Sequence, residues 1–521
     1  LIAECESPFT VLAALYFAKL FGVEDRVDIS PLFETSDALE RGGRMLEQLL
    51  DNPAYLAYIK HRGRLAIQTG FSDAGRFFGQ ISAGLAIERL QILLARHLKA
   101  RGIDDIEVVI FNTHGESVGR GAHPVSLRSR QHYVFTPWAR AMFRHAGVTV
   151  CHETSFQGGD GFVALATPSR ARITLVGLID AEHDVPDMAR DDDIFYKDIN
   201  FTWDFYRELR AYQYELFHDA DYRAVLGAFG TNLLHTTGSR RARRAAKPPP
   251  PGTRENLSRV RAIPHNAILQ QLGYSANVIA GIGMVARHEV DRFMELVRTS
   301  PRAGSLMQMV AFARRQSSLT ALAAYGGVFD AGFWVARADE RARAPMQAAG
   351  GPDPCLVLAG LVGTNTRYGA FARLHNRLRT DAIFLREVLD TLKLDGGQPS
   401  DDPRADRYLL HGLRIGLIMH LFLLAARLPT FSTRNDMSLA GVQELVLTMR
   451  VPEALEVLRA VFPISGPDGH AGEFDEPASY QAGRGRGYPQ VHHTYIEPME
   501  RIYAVLKDTG LGLSHHFGAY G

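Results

Sequence analysis

Between residues 111 and 124 the chain reads Phe-Asn-Thr-His-Gly-Glu-Ser-Val-Gly-Arg-Gly-Ala-His-Pro. Gly115, Gly119 and Gly121 are interleaved there with His114, Glu116, Ser117 and Arg120. Glycines at that density let backbone N–H groups turn toward an anion without side-chain obstruction. Arg120 adds a planar, permanently charged fork suited to phosphate or carboxylate. Such a stretch is an anion-binding loop or, equally, a plain glycine-rich turn. Carboxylates follow two earlier runs: Glu34 comes after Arg26–Ser30, and Asp73, with Arg76 close behind, comes after Leu65–Thr69. Each can cap the next helix or ligate a metal. Side by side at strand ends, the two would suit a hard cation, Mg²⁺ or Mn²⁺, with open water positions. Residues 70–77 fall short of a nucleotide-binding P-loop, which needs Lys and then Ser or Thr where Arg76-Phe77 stands.

The elements that must carry these residues alternate. Runs at 26–30, 65–69 and 106–111 read as strands, each leading into a functional loop and then a helical pattern. Strand, loop, helix, repeated, is the order of a parallel β/α (TIM-type) barrel with its site at the strands' C-terminal ends. Helices are expected from Ser7-Pro8 to Gly22, from Ser36, from Asn52-Pro53 to Gly63, and from Asp73 to Gly102. Further strands are expected at 148–151 and 172–176. Residues 193–229 and almost everything after Asn266 read helical. The chain divides into a barrel part, 1–265, and a mostly α-helical region, 266–521.

Composition narrows the class. The 521 residues are 46% hydrophobic and 22% charged with a net charge of +1, so no nucleic-acid or membrane surface is indicated. The three cysteines, Cys5, Cys151 and Cys355, show no metal-site spacing and suit reduced thiols in a cytoplasmic protein. Leu413–Leu428 is interrupted by Arg414, His420 and Arg427 and reads as a buried helix. No signal peptide is evident. Residues 238–251 hold a basic run followed by prolines, either a solvated loop or part of a site.

Taken together, the stretches resemble the phosphoenolpyruvate carboxylase family. Pro31-Leu32-Phe33-Glu34-Thr35 matches a family segment, Gly70-Phe71-Ser72-Asp73 resembles a second, and Gly115 to Pro124 resembles the family's glycine loop. Farther on, Gln157-Gly158, Gly238-Ser239-Arg240 and Arg261-Ala262-Ile263-Pro264 match shorter segments. The resemblance implies carboxylation of phosphoenolpyruvate with bicarbonate to oxaloacetate and phosphate. It implies Glu34 and Asp73 as ligands of Mg²⁺ or Mn²⁺. It also implies Arg120, Arg240 and Arg261 on phosphoryl or carboxyl oxygens, with Arg76 and His114 among the catalytic set and Gly119, Gly121 and Gln157 binding substrate. By the same resemblance the chain corresponds to the C-terminal half of longer family members. A homo-oligomer, tetrameric in the family, is expected, and an N-terminal half with the catalytic histidine as a further partner. Asp508-Thr509-Gly510 is the nearest match to the family's C-terminal tail.

Three positions depart from the pattern. Arg76 stands in place of a lysine, Glu116 in place of a glycine, and His114 in place of the loop's first arginine. A histidine that replaces that arginine would bind phosphoryl as imidazolium, and affinity would fade as pH rises through its pKa near about 6.5. Otherwise His114 packs beneath the loop.

Overall fold

The computed structural model describes residues 2–5, 7–115, 118–121, 123, 125–157, 165–183, 193–233, 270–343, 352–394, 404–432, 437–464 and 487–516. Five strands form one parallel sheet: β1 (Ile2–Glu4), β2 (Ser30–Phe33), β3 (Arg64–Gly70), β4 (Glu107–Gly115) and β5 (Thr149–Gln157). Their spatial order is their sequence order. Helices connect them: α1 (Pro8–Leu20), α2 (Ser36–Leu50) with α3 (Pro53–Arg62), α4 (Phe71–Phe78) with α5 (Gln80–Ala100), and α6 (Leu127–Val134) with α7 (Pro137–His145). α8 (Pro168–His183) follows β5. The expected closed barrel is not seen: among the described residues the sheet ends at β1 and β5.

Local chemistry explains most boundaries. Asn52 caps α3 by accepting from Ala54 N and Tyr55 N, Pro53 fills the first turn, and Gly63 ends the helix at φ 65°. Thr35 caps α2 through Ala38 N. Three expectations are corrected. β2 starts only at Ser30: residues 24–26 form a turn, 27–29 have no regular structure, and Arg62 donates to Asp28 there (3.0 Å). The helix expected from Asp73 to Gly102 breaks at Gly79, whose φ of 84° lies in the left-handed region. Residues 172–176 lie in α8, not in a strand. Thr167 Oγ1 accepts from Arg170 N and Pro168 opens the first turn, so cap chemistry overrides the β-branched run.

Beyond β5 the described chain is helical. α9 (Ile194–Lys197), α10 (Ile199–His218) and α11 (Ala220–Phe229) come first, and from Ala276 a series of helices runs to Glu497–His516. One apolar core, spanning Cys5 to Leu506, joins the sheet and its helices to this region. Cys5 and Cys355 are buried and Cys151 partly so. Helix Arg404–Ala426 is long and apolar enough, by length and composition, to cross a membrane. One side of it packs into the core, with Ile418, Leu421 and Phe422 fully buried, while Tyr408, Leu409 and Leu413 are exposed; buried Arg414 donates to Gln271 O (3.0 Å) and Leu233 O (3.2 Å). Asp508-Thr509-Gly510 lies inside helix Glu497–His516, not in a tail, and Gly510 O accepts from Gln271 (3.0 Å).

Candidate active site

Successive side chains on a strand point to opposite faces, so register sorts the candidates. Phe33 of β2 pairs with Thr69 of β3, and Thr69 with Asn112 of β4. That row faces the helices, since the Phe33 ring lies 3.1 Å from where a β-carbon on Gly42 of α2 would sit. His114, two residues after Asn112, is on the same face. The opposite face carries Gln68 and Thr113, whose side chains hydrogen-bond (3.0 Å). It also carries Gly70 and Gly115, and the Gly115 backbone is in register with that of Gln157.

Glu34 belongs to that second face. Its Oε2 lies 2.9 Å from where a β-carbon on Gly70 would be, so its carboxylate occupies space that only glycine leaves open. Asp73 sits in the first turn of α4, directly after β3, and Arg76 one turn on. The side chains of Asp73, Arg76 and Gln157 lie outside the described residues, as do Arg240, Arg261 and Glu116 altogether. Among the described residues no group of three or more His, Cys, Asp or Glu gathers as a metal cluster.

The glycine loop turns back over the end of β4. Val118–Arg120 form a short 3₁₀ turn, and Gly121 follows at φ 87°. Arg120 is fully buried, its guanidinium against the α-carbon of Gly115, where a side chain would overlap it. Gly121 sits over His114, whose Cβ is 2.9 Å from where a β-carbon on Gly121 would be. With its amide turned so that the nitrogen faces Gly119 O, Gln80, at the start of α5, donates there (2.9 Å) and accepts from Gly121 N (3.2 Å). Gly75 of α4 leaves room for that amide.

His114 is fully buried at the end of β4, ahead of the loop proper. Arg130 of α6 donates to its Nδ1 from Nε (3.0 Å) and Nη2 (2.9 Å). A ring nitrogen that accepts carries no proton, so the imidazole is neutral. Burial, then Arg130, His152 and Arg120, hold its pKa well below the usual histidine value. Of the two readings of His114, the imidazolium is not what this pocket favours, because two guanidinium groups and the dry helix-facing layer oppose it; the ring packs beneath the loop instead. Next to it, Asn112 meets Val134 O (3.3 Å) and His152 Nε2 (2.9 Å), and Glu182 holds His152 Nδ1 (2.9 Å).

Sequence spacing missed Gln80, Arg130 and Asn277, the last donating to Gly119 O (3.3 Å). Asn277 is 158 positions from its partner, so no local pattern could reveal it. The polar Gln80 just after Gly79, where a helix would otherwise have continued, was the one available signal.

The fold and these strand ends define a parallel β/α protein with a carboxylate, an arginine-bearing glycine loop and a helix start gathered at one end of its sheet. Residues 1–127 match the sequence model of the family described as phosphoenolpyruvate carboxylase. The chain is 36% identical over 126 residues to a phosphoenolpyruvate carboxylase of Marinomonas sp., covering 24% of this chain and 14% of that one. It is 36% identical over 97 residues to that of Thermus thermophilus (19% and 11%). To that of Mycobacterium avium it is 32% identical over 132 residues (24% and 14%). The matched stretch thus spans about one-seventh or less of these relatives' length. The family match holds Glu34, Asp73, Arg76, His114 and Arg120, and ends before Gln157, Arg240 and Arg261.

Proposed function

We propose that the chain binds phosphoenolpyruvate at the ends of β2, β3 and β4 and, as part of a phosphoenolpyruvate carboxylase, serves its carboxylation by bicarbonate to oxaloacetate and phosphate. One observation carries the reading. The three family segments, far apart in sequence, fall at the same end of three adjacent parallel strands, with Glu34 after β2, Asp73 after β3 and Arg120 after β4. Sites in β/α barrels are built from such ends, and five strands in sequential parallel order suit consecutive members of a barrel, whereas a doubly wound sheet reverses its order.

On this reading Arg120 holds phosphoryl oxygens, Gly119 and Gly121 let the backbone approach them, and Arg76, Gln157, Arg240 and Arg261 complete the anion site. Glu34 and Asp73 would hold Mg²⁺ or Mn²⁺; both offer hard oxygen donors, and the cradle above Gly70 gives the Glu34 carboxylate its place. When bound, the cation would supply positive charge to the enolate oxygen that yields its phosphoryl group to bicarbonate. The protein's own groups orient the phosphoryl group for bicarbonate attack and keep water from the enolate. The family's histidine motif is absent from these 521 residues. Loss of a general acid–base group costs about 10²–10⁴-fold, so turnover by this chain alone should fall that far below family rates. A second reading, an anion-binding homologue without turnover, is favoured by the neutral, buried His114 where the family loop has an arginine.

Calorimetry with phosphoenolpyruvate and Mg²⁺, paired with trapping of labelled bicarbonate as malate, separates these. Binding that Arg120→Ala weakens by about 10-fold or more, the scale of a lost charge-assisted contact, with slow label incorporation supports the carboxylase. Binding without any label supports the second reading. Absence of binding overturns both.

A further inference from the structure

The glycine loop is tied to the distant helical region as well as to its own neighbours. Gly119 O accepts from Gln80, on the sheet side, and from Asn277 Nδ2 (3.3 Å), in helix Ala276–Ile279. Two residues past the loop, His123 Nε2 meets Ser305 O (3.2 Å) in helix Pro301–Gln316. Gln80 and Asn277 are almost wholly buried, at 0% and 1% exposure, so neither bond competes with bulk water. The fit at Gly119 is close: a β-carbon there would overlap the Asn277 amide.

The direction of these bonds matters. The Gly119–Arg120 peptide is trans and planar, so fixing its carbonyl fixes the opposite direction of the Arg120 N–H and the path of the Arg120 α-carbon. Two amides use both lone pairs of one carbonyl, leaving that plane no freedom to rotate without breaking a buried bond.

We propose that Asn277 is a positioning residue, which from the helical region locks the Gly119–Arg120 peptide and thereby sets the arginine's presentation to an anion. Anion binding at the loop then depends on docking of residues 276–316 against α4 and α5. The proposal rests on the anion-site reading above, deepening it with a residue that touches no ligand.

The experiment uses the full chain with Asn277→Ala, Gly119→Ala, the double variant, and Leu378→Ala as a control. Leu378 is a fully buried core residue of helix Arg367–Leu392. Gly119 is not in the left-handed region, so alanine there disturbs the Asn277 contact rather than the backbone. Phosphoenolpyruvate affinity with Mg²⁺ and amide hydrogen exchange of 118–121 are measured for each. The expected result is about 5–10-fold weaker binding in either single variant, the scale of one buried hydrogen bond. The double variant should be no weaker than the worse single, since both remove one contact. Amides of 118–121 exchange faster in all three, while Leu378→Ala lowers the melting temperature and leaves affinity unchanged. Wild-type affinity and exchange in Asn277→Ala overturn the proposal, as does an equal affinity loss in Leu378→Ala. If the wild type binds no phosphoenolpyruvate, the anion-site reading fails on its own. Hydrogen exchange then decides the lock, which unchanged protection in Asn277→Ala overturns.

Discussion

His114 shows how a single residue changes meaning between sequence and structure. Its spacing places it on an anion loop, where a ring that switches charge would matter. In the fold it closes β4, faces the helices and accepts from Arg130. Its Nδ1 accepts from Arg130 and its pKa is held well below the usual histidine value, so no change in the ring's charge is expected between pH 6 and 8. The ratio of phosphoenolpyruvate dissociation constants between wild type and His114→Gln should therefore stay constant across that range. A ratio that shrinks steadily toward pH 8 would show an imidazolium at work and sink the assignment. His114→Arg, which the sequence alone recommends as a gain, should instead weaken the protein by crowding Arg120 and Arg130 with a third buried cation.

Among the elements, those punctuated by caps were legible. Asn52-Pro53 and Gly63 bracket α3 as their side-chain chemistry requires, and Asn52 holds two first-turn N–H groups. Asn52→Ala should cost about 1 kcal/mol, read from urea midpoints, and Asn52→Asp should recover most of it. The strands were legible wherever a dense apolar run stood alone, as at Leu65–Thr69 and Ile106–Phe111. α8 was not, because Ile173, Leu175 and Val176 carry β-propensity while the deciding signal, Thr167-Pro168, precedes them. The placing of Glu34, Asp73 and Arg120 near strand ends was legible because each comes shortly after its own strand. Gln80, Arg130 and Asn277 were not, because their roles arise from packing between elements remote in sequence.

At the scale of the molecule, buried charge joins the sheet to the helical region. Glu88 of α5 is paired with Arg302 (2.8 Å), both almost fully buried, and also accepts from Thr136 (2.7 Å) and Tyr196. Glu88→Ala should destabilise by about 3–5 kcal/mol, the cost of stranding a buried partner, and replacing both charges with apolar residues should cost less than either single change. Acid should act through the histidines. Burial lowers His123 to about 4 and His411 to about 3, with His114 also depressed. Folded values below the unfolded ~6.5 mean the stability is full above that pH and is lost as pH falls toward the folded values. Asp381 runs the other way. Burial raises it to about 6 despite its bonds to Gly281 N and Met284 N, so its contribution is lost as pH rises from its unfolded value toward 6. His132 and His152 are lowered as well, so the depressed histidines outnumber the one raised carboxyl and urea midpoints should drop between pH 7 and 5. His123→Asn should flatten that slope by about 1.4 kcal/mol per pH unit; an unchanged slope would refute the assignment. The Glu88–Arg302 pair also sets a clock for biosynthesis. The two residues lie 214 positions apart, which a ribosome adding about 5–20 residues per second crosses in roughly 10–40 s. For that interval the nascent β/α units hold a core carboxylate whose guanidinium does not yet exist. The sheet can form its strand pairs as it emerges, but the layer around Glu88 can dry only after Arg302 has left the exit tunnel, and the arginine-bearing loop cannot take its final shape before Asn277 has.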